Sequence, residues 1–452
     1  MIPSMRKTVV EGLRLIDRIP DVPNRAGTSD RILELKGASF NIPISRTILS
    51  QHILFTGGIG TGKTNAIFQI VDQLVRGMTK DDVMIIFDSK GDFLEEFGNK
   101  IERPAIISND QNANVYWNIL NEALVDGDSE DVVENNLMEL ATSLFEDTRQ
   151  GDSKNQFFVD AAKNVFYGVM LGTYIQNKNI HLSNKSFINN KTLMNRCDSS
   201  IEELIGLFNG PRCASKLSGL NEYLINLQGS VAKITEQGSS VIATMRNKTL
   251  DIFKGNFAKI GDFSVRDFVR KKGGRTLFIE YDVGQGSSLT AVYKTMVDLA
   301  IKEALSRTRS KGNVYFVIDE FRLLPKMDHM DAGVNLGRSL GTKFIVAMQN
   351  LKQIESAYGE SEAKSILSGF VTTVNFRTTD CETREYIKSQ FGKQTYTLEI
   401  QTISGGKEVR ESDVVTDSDI LTLNPGEAII SIPQICHDPV RFRFRRFQDC
   451  RS

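Results

Sequence analysis

The segment Gly57-Gly-Ile-Gly-Thr-Gly62-Lys63-Thr64, which satisfies GxxxxGK[ST], constrains the fold of this chain more than any other. Such a loop cradles phosphates only when a strand delivers it and a helix receives it. Both flanks read correctly. The apolar run Gln51-His-Ile-Leu-Phe-Thr56 precedes it, and Ile67, Phe68, Ile70, Val71, Leu74 and Val75 follow at helical spacing. Gly57, Gly58, Gly60 and Gly62, with Thr61 among them, let successive backbone N–H groups turn inward on phosphate oxygens. The first helical turn, Lys63-Thr64-Asn65, adds the positive end of its dipole. Lys63 is suited to the β- and γ-phosphates and the Thr64 hydroxyl to a magnesium ion. ATP and Mg2+ are therefore the expected cofactors.

The rest of the chain reads as an α/β protein organised around that loop. Val83-Met-Ile-Ile-Phe87 is a buried-strand run ending in Asp88, so strand, loop, helix and strand open a mostly parallel sheet. Residues 1–50, punctuated by Pro20, Pro23 and Gly27, form an N-terminal lead-in, and 51–128 hold the first part of the nucleotide-binding domain. Over 129–259 the strand-like runs vanish and helical spacing takes over, with a polar Asn/Lys-rich stretch at 176–191 expected as a solvated loop. That block reads as an all-α insertion. Strand signals return over 260–452 with Thr276–Tyr281, Val314–Ile318, Lys343–Met348 and Val371–Phe376, which complete the sheet.

A phosphate loop needs an acidic partner for its metal, and two strand ends offer one. Val314-Tyr-Phe-Val-Ile is followed by Asp319-Glu320, an Asp for the metal beside a Glu able to polarise the attacking water. Asp88 is followed by Ser89-Lys90-Gly91-Asp92 and has no adjacent carboxylate, so it reads equally as a turn residue or as a nucleotide- or DNA-facing one. Asp319 and Glu320 are the better pair. Gln349, at the end of another buried strand, is placed to sense the γ-phosphate or orient water. Arg338 lies on the connection entering that strand, at the sheet edge away from the strand's C-terminal end. It reads either as a solvated surface arginine or as a charge presented to a neighbouring subunit's nucleotide, being poorly placed for its own.

Composition removes several classes. Lys and Arg total 55 against 56 Asp and Glu, a net charge of −1, which excludes a globally basic DNA wrapper but not a local basic stripe. The five scattered cysteines contain no CxxC, and the four histidines make no zinc spacing, so neither a disulfide framework nor a structural zinc is expected. No apolar run reaches the ~18 residues of a membrane span. The chain is expected in the cytoplasm, at the inner face of the membrane if an anchor or partner holds it there. The alternation Arg441-Phe-Arg-Phe-Arg-Arg-Phe447 reads as an edge strand defended by charge.

Taken in order, Thr56–Thr64, Asp88-Ser-Lys-Gly-Asp92, Tyr116-Trp-Asn118, Phe263-Ser-Val-Arg-Asp-Phe268, Ile318-Asp-Glu-Phe321 with Leu324-Pro-Lys326, Gly337-Arg-Ser339, Met348-Gln349 and Tyr358-Gly359 resemble one family. It is that of the type IV secretion coupling proteins, the TrwB/TraD/VirD4-like conjugative ATPases. The resemblance implies a RecA-like P-loop domain with an all-α insertion, and homohexamers around a channel. It further implies ATP-driven translocation of single-stranded, sequence-nonspecific DNA with an attached relaxase towards a type IV secretion channel. It also implies a trans-acting role for Arg338. A HerA- or FtsK-like pump for duplex DNA, and an ATP-switched receptor for protein cargo, are the alternative readings. Members usually begin with a membrane anchor, which this sequence does not show.

Overall fold

The structure is a computed structural model. It describes residues 5–19, 31–146, 153–228, 231–282, 284, 286–306, 312–400 and 406–450. The chain divides into two compact units, one of Met1–Ile86, Lys311–Arg322 and Met330–Ser452, the other of Phe87–Ser310 and Leu323–His329.

The first unit is built on a sheet. Its strands lie in the order Cys436–Arg443, Glu427–Ile432, Thr372–Phe376, Ile53–Thr56, Thr342–Met348, Val314–Ile318 and then the start of Val83–Asp88. The central four run parallel, Glu427–Ile432 runs antiparallel to them, and Cys436–Arg443 pairs antiparallel with Glu427–Ile432 and so shares the direction of the central four. Central strands that are covered on both faces must be apolar throughout. Val314–Ile318 and Thr342–Met348 are indeed buried at every position. Cys436–Arg443 is the terminal strand, with Phe442, Phe444 and Phe447 buried and Arg443 and Arg445 exposed, as the Phe/Arg alternation predicts.

The helix Lys63–Gly77 packs Ala66, Ile67, Ile70, Val71 and Leu74 inward, each large side chain contributing roughly 1.5–3 kcal/mol. The periodicity predicts Phe68 on that face. The structure instead buries Gln69, whose amide accepts from Lys36 N (2.9 Å) and donates to Arg445 O (2.9 Å). Edge backbone needs partners, and a glutamine here supplies them where phenylalanine could not.

The second unit is mostly helical. Its long helices are Glu130–Phe145, Ser153–Ser183, Glu236–Ile252 and Gly286–Ala304. A parallel pair, Ala105–Ile107 with Arg275–Glu280, supplies its strands, and a short hairpin, Ile225–Gln228 with Val231–Ile234, lies within the helical stretch. The Asn/Lys-rich stretch is not the solvated loop expected at 176–191. Its first half continues the helix to Ser183, and His181, Asn189 and Asn190 are buried. These three face inward because they satisfy backbone groups there, while Gln176, Asn179, Asn184, Lys185 and Lys191 are exposed as expected. No helix among the described residues is long and apolar enough to cross a membrane.

Candidate nucleotide site

The strand Ile53–Thr56 ends at the sheet's C-terminal edge, and the loop turns there. Gly57 has φ 146° and Gly62 φ 113°, conformations that L side chains avoid. A Cβ on Gly57 would meet Phe376 Cβ at 2.6 Å, and one on Gly62 would meet the Gly426 backbone at 3.1 Å. The loop is braced from outside as well. Gly58 N donates to Arg377 O (2.9 Å) and Gly426 N to Thr61 O (2.8 Å). Inside it, the Thr61 hydroxyl donates to Gly58 O (2.8 Å). Lys63 Nζ donates to the carbonyls of Gly57 (2.7 Å) and Gly58 (2.9 Å), which holds the ammonium over the loop.

The acidic partners arrive on the strand Val314–Ile318. Asp319 and Glu320 are 6% and 5% exposed, and the Thr64 hydroxyl lies 3.4 Å from Asp319 Oδ1. Gln349 extends the strand Thr342–Met348, whose Met348 pairs with Thr56, so it emerges at the same edge as the loop. Its amide donates to Glu320 Oε2. Glu320 Oε1 accepts no hydrogen bond and lies 3.5 Å from Arg322 Nε. Burial pushes the Glu320 carboxyl above the ordinary glutamate value, opposed by Arg322, Lys63 and the Gln349 bond. The cluster therefore gathers a phosphate cradle, a cation, a hydroxyl–carboxylate pair and a buried carboxylate with one oxygen to offer.

Two expected residues stand apart. Asn65 directs its side chain to the C-terminal segment, donating to Arg445 O (2.9 Å) and accepting from Phe447 N (2.7 Å). Arg338 is exposed on the turn Gly337–Leu340 before Thr342–Met348, seven residues and about 20 Å of strand from Gln349. Exchanging the O and N positions of the neighbouring Gln51 amide would let its oxygen accept from the Arg338 guanidinium at 3.0 and 3.2 Å. Below that turn, buried His52 accepts from Phe344 N (3.0 Å) and meets Val334 O (2.9 Å). Burial holds its ring neutral, with a value lowered to about 4. Arg338 thus sits at the edge opposite its own loop.

The structure also separates motif residues that look functional from those that hold the fold. The Asp88 carboxylate accepts from the backbone N–H groups of Lys90 (3.3 Å), Gly91, Phe93 and Leu94 (each 2.9 Å). It caps the following turn, as the first of its two readings had it. Asn118 donates to Ile188 O (2.8 Å) and Gly261 O (2.9 Å), and Asn190 to Trp117 O (2.9 Å) and Phe257 O (2.8 Å). Buried Glu122 accepts from Trp117 Nε1 (2.8 Å), the Ser264 hydroxyl (2.8 Å), Val265 N (2.6 Å) and Arg266 N (3.0 Å). The Tyr116–Asn118 and Phe263–Phe268 motifs are therefore the two halves of one buried polar knot.

One arrangement at the loop escaped sequence reasoning. The Thr56 hydroxyl donates to Asn375 Oδ1 (2.8 Å), Asn375 to Thr373 Oγ1 (3.2 Å), and Thr373 to Gln390 (2.9 Å). This buried chain starts at the residue that delivers the loop. The signal was an asparagine inside an otherwise buried strand run.

A parallel sheet with a glycine loop, a Thr–Asp pair and a buried glutamate at its C-terminal edge defines a P-loop nucleotide-binding protein of RecA-like fold. Within that class, the chain belongs to the type IV secretion coupling proteins: residues 38–443 match the family described as the type IV secretion-system coupling protein DNA-binding domain. The coupling protein TraD of Escherichia coli K12 is 22% identical over 450 residues, covering 94% of this chain and 56% of TraD. VirD4 of Agrobacterium fabrum is 22% identical over 205 residues, 44% of this chain and 30% of VirD4. The chain thus spans about half of one curated relative and a third of the other. Among solved structures, the conjugative coupling protein TrwBdeltaN70 has a TM-score of 0.72 at 19% identity, covering 97% of this chain and 94% of that one. TrwB in complex with ADP and Mg2+ has a TM-score of 0.70 at 20% identity, covering 98% and 95%. At such identity the structural likeness speaks for the fold alone.

Proposed function

We propose that this chain is an ATPase that drives single-stranded DNA, with its attached relaxase, towards a type IV secretion channel at the cytoplasmic face of the membrane. The observation that carries the hydrolytic part is Glu320. It is a buried carboxylate held by Gln349, and its other oxygen faces Arg322 but accepts no hydrogen bond. In hydrolysis Lys63 and the loop amides neutralise the β- and γ-phosphates, and Glu320 accepts the proton of the water that attacks the γ-phosphorus, with ADP leaving. Gln349 keeps the carboxylate aimed. Thr64 and Asp319 would hold a magnesium ion, which when bound would supply neutralisation of the charge developing on the phosphate. Arg338, on the far edge of its own sheet, is read as acting on the nucleotide of a neighbouring copy in a homohexamer.

DNA binding is read as electrostatic, because a family DNA-binding domain with a net charge of −1 must concentrate its positive charge locally. The test is ATP turnover without DNA, with single strands and with duplex at several salt concentrations. The reading expects stimulation by single strands that falls steeply with salt and barely changes with base sequence. Stimulation by duplex alone would assign a duplex pump, and turnover indifferent to any DNA would assign a cargo receptor.

A further inference from the structure

Beside Asp88, a cavity of about 610 Å³ opens within the second unit, lined in part by Lys90, Glu95, Asp110, Glu280, Tyr281 and Asp282. Four carboxylates and one ammonium face it. Three of the acids near it have their oxygens engaged. Asp88 caps the turn as described, Asp110 accepts from the Ser108 hydroxyl (2.8 Å) and Asn112 N (2.7 Å), and Asp282 accepts from Gly284 N (2.8 Å).

Glu280 differs. It ends a buried strand, is 9% exposed, and its Oε2 has no hydrogen-bond partner. Burial, with the like charges of Asp110 and Asp88, pushes its carboxyl up to about 7 against the opposing pull of the Ser108 and Asn112 side chains. A buried carboxyl lining an acidic cavity and lacking a partner for one oxygen is a counter-charge awaiting a cation. The carboxylates ring the space instead of converging, and among the described residues no group of His, Cys, Asp or Glu is arranged to hold a metal ion. The size of the cavity and the Tyr281 ring in its wall favour a planar or alkyl-borne nitrogen cation.

We propose that this cavity binds an organic cation, a guanidinium or primary ammonium group, with Glu280 as its principal counter-charge. The group can arrive on a free small molecule or on an Arg or Lys side chain of a second copy. The site is independent of the ATPase reading and stands or falls by itself.

Titration calorimetry of the full chain with methylguanidinium, and separately with spermidine, tests it. The cation pairs with ionised Glu280, so binding at pH 6 must release a proton, and the heat must vary with the buffer's ionisation enthalpy. Affinity is expected to rise about tenfold from pH 6 to pH 8 as the carboxyl ionises. Glu280→Gln is expected to remove both the binding and its pH dependence, and Asp110→Asn to weaken binding several-fold, while Glu95→Gln changes it little. No binding, binding without proton release, or full affinity in Glu280→Gln overturns the proposal. Sedimentation distinguishes the sources. If methylguanidinium and Glu280→Gln both weaken self-association, the natural ligand is a side chain of a second copy. If binding leaves self-association unchanged, it is a free cation.

Discussion

Two strand ends in this molecule look alike in sequence and behave oppositely. Val83–Asp88 and Val314–Ile318 are both fully buried, and each delivers an Asp into a turn. At the first, four backbone N–H groups occupy the carboxylate, and it holds the chain's course. At the second, Asp319 reaches the Thr64 hydroxyl, and Glu320 keeps an oxygen without a hydrogen bond. The difference lies in the backbone that follows. A glycine with φ 80° at Gly91 turns the amides of the next helix back onto Asp88, whereas the turn after Glu320 brings Arg322 beside its carboxylate. Unused hydrogen-bond capacity distinguishes a residue available for chemistry from one engaged in holding the fold.

The largest expected effects bear on the open end. Lys63→Ala should abolish hydrolysis, and Arg338→Ala should bind ATP normally yet lose ~10³–10⁵ in DNA-stimulated rate. Mixing the two variants should restore partial activity, because some interfaces then pair an intact loop with an intact arginine. Normal turnover in Arg338→Ala would make it a surface charge. Inactivity without rescue, in a mixture shown to exchange subunits, would place its action within its own subunit.

Glu320→Gln comes next, with a loss of ~10²–10⁴ in turnover and retained ATP affinity, measured by nucleotide binding and single-turnover kinetics. The same residue predicts a pH profile. Its value is raised by burial, so activity should fall as pH drops through a value above that of an ordinary glutamate, and this limb should vanish from the residual rate of Glu320→Gln. The stability sign is opposite. A carboxyl that holds its proton more tightly when folded favours the native state at low pH, and that contribution is lost as pH rises through the folded value. Replacing Glu320 with Gln should therefore leave stability equal or higher above that range in thermal melts.

The paired substitution tests the comparison directly. Asp88→Ala should cost about 2–3 kcal/mol of stability by stranding buried amides while nucleotide affinity holds. Asp319→Ala should do the reverse, leaving the melt unchanged and removing magnesium-dependent nucleotide binding. If both variants lost only stability, the acidic strand would be structural too. The smallest effect is at Asn65, where alanine should cost about 1 kcal/mol by freeing the C-terminal segment, with hydrolysis little changed.

Much of the site was legible because its chemistry is local. Gly57 to Thr64 form one continuous loop whose dihedrals demand glycine, and Asp319-Glu320 and Gln349 end apolar runs that can only be central strands. The parallel sheet follows from the same runs, and in a parallel sheet the connection entering a strand, which carries Arg338, lies at the far edge. Residues whose role depends on distant partners were not legible. The Ile119 backbone and Asn190, or Glu122 and Ser264, are far apart in sequence, and nothing in either neighbourhood tells which polar group the other will satisfy. The same holds for Asn65, expected at the nucleotide, and for the Asn/Lys stretch, read as solvated because its spacing shows no apolar face. Periodicity and motif spacing fix which backbone forms and where a loop can bind phosphate, since these depend on neighbours in sequence. Whether a given Asp, Asn or Glu keeps an open oxygen depends on which buried amides reach it, and only packing in three dimensions settles that.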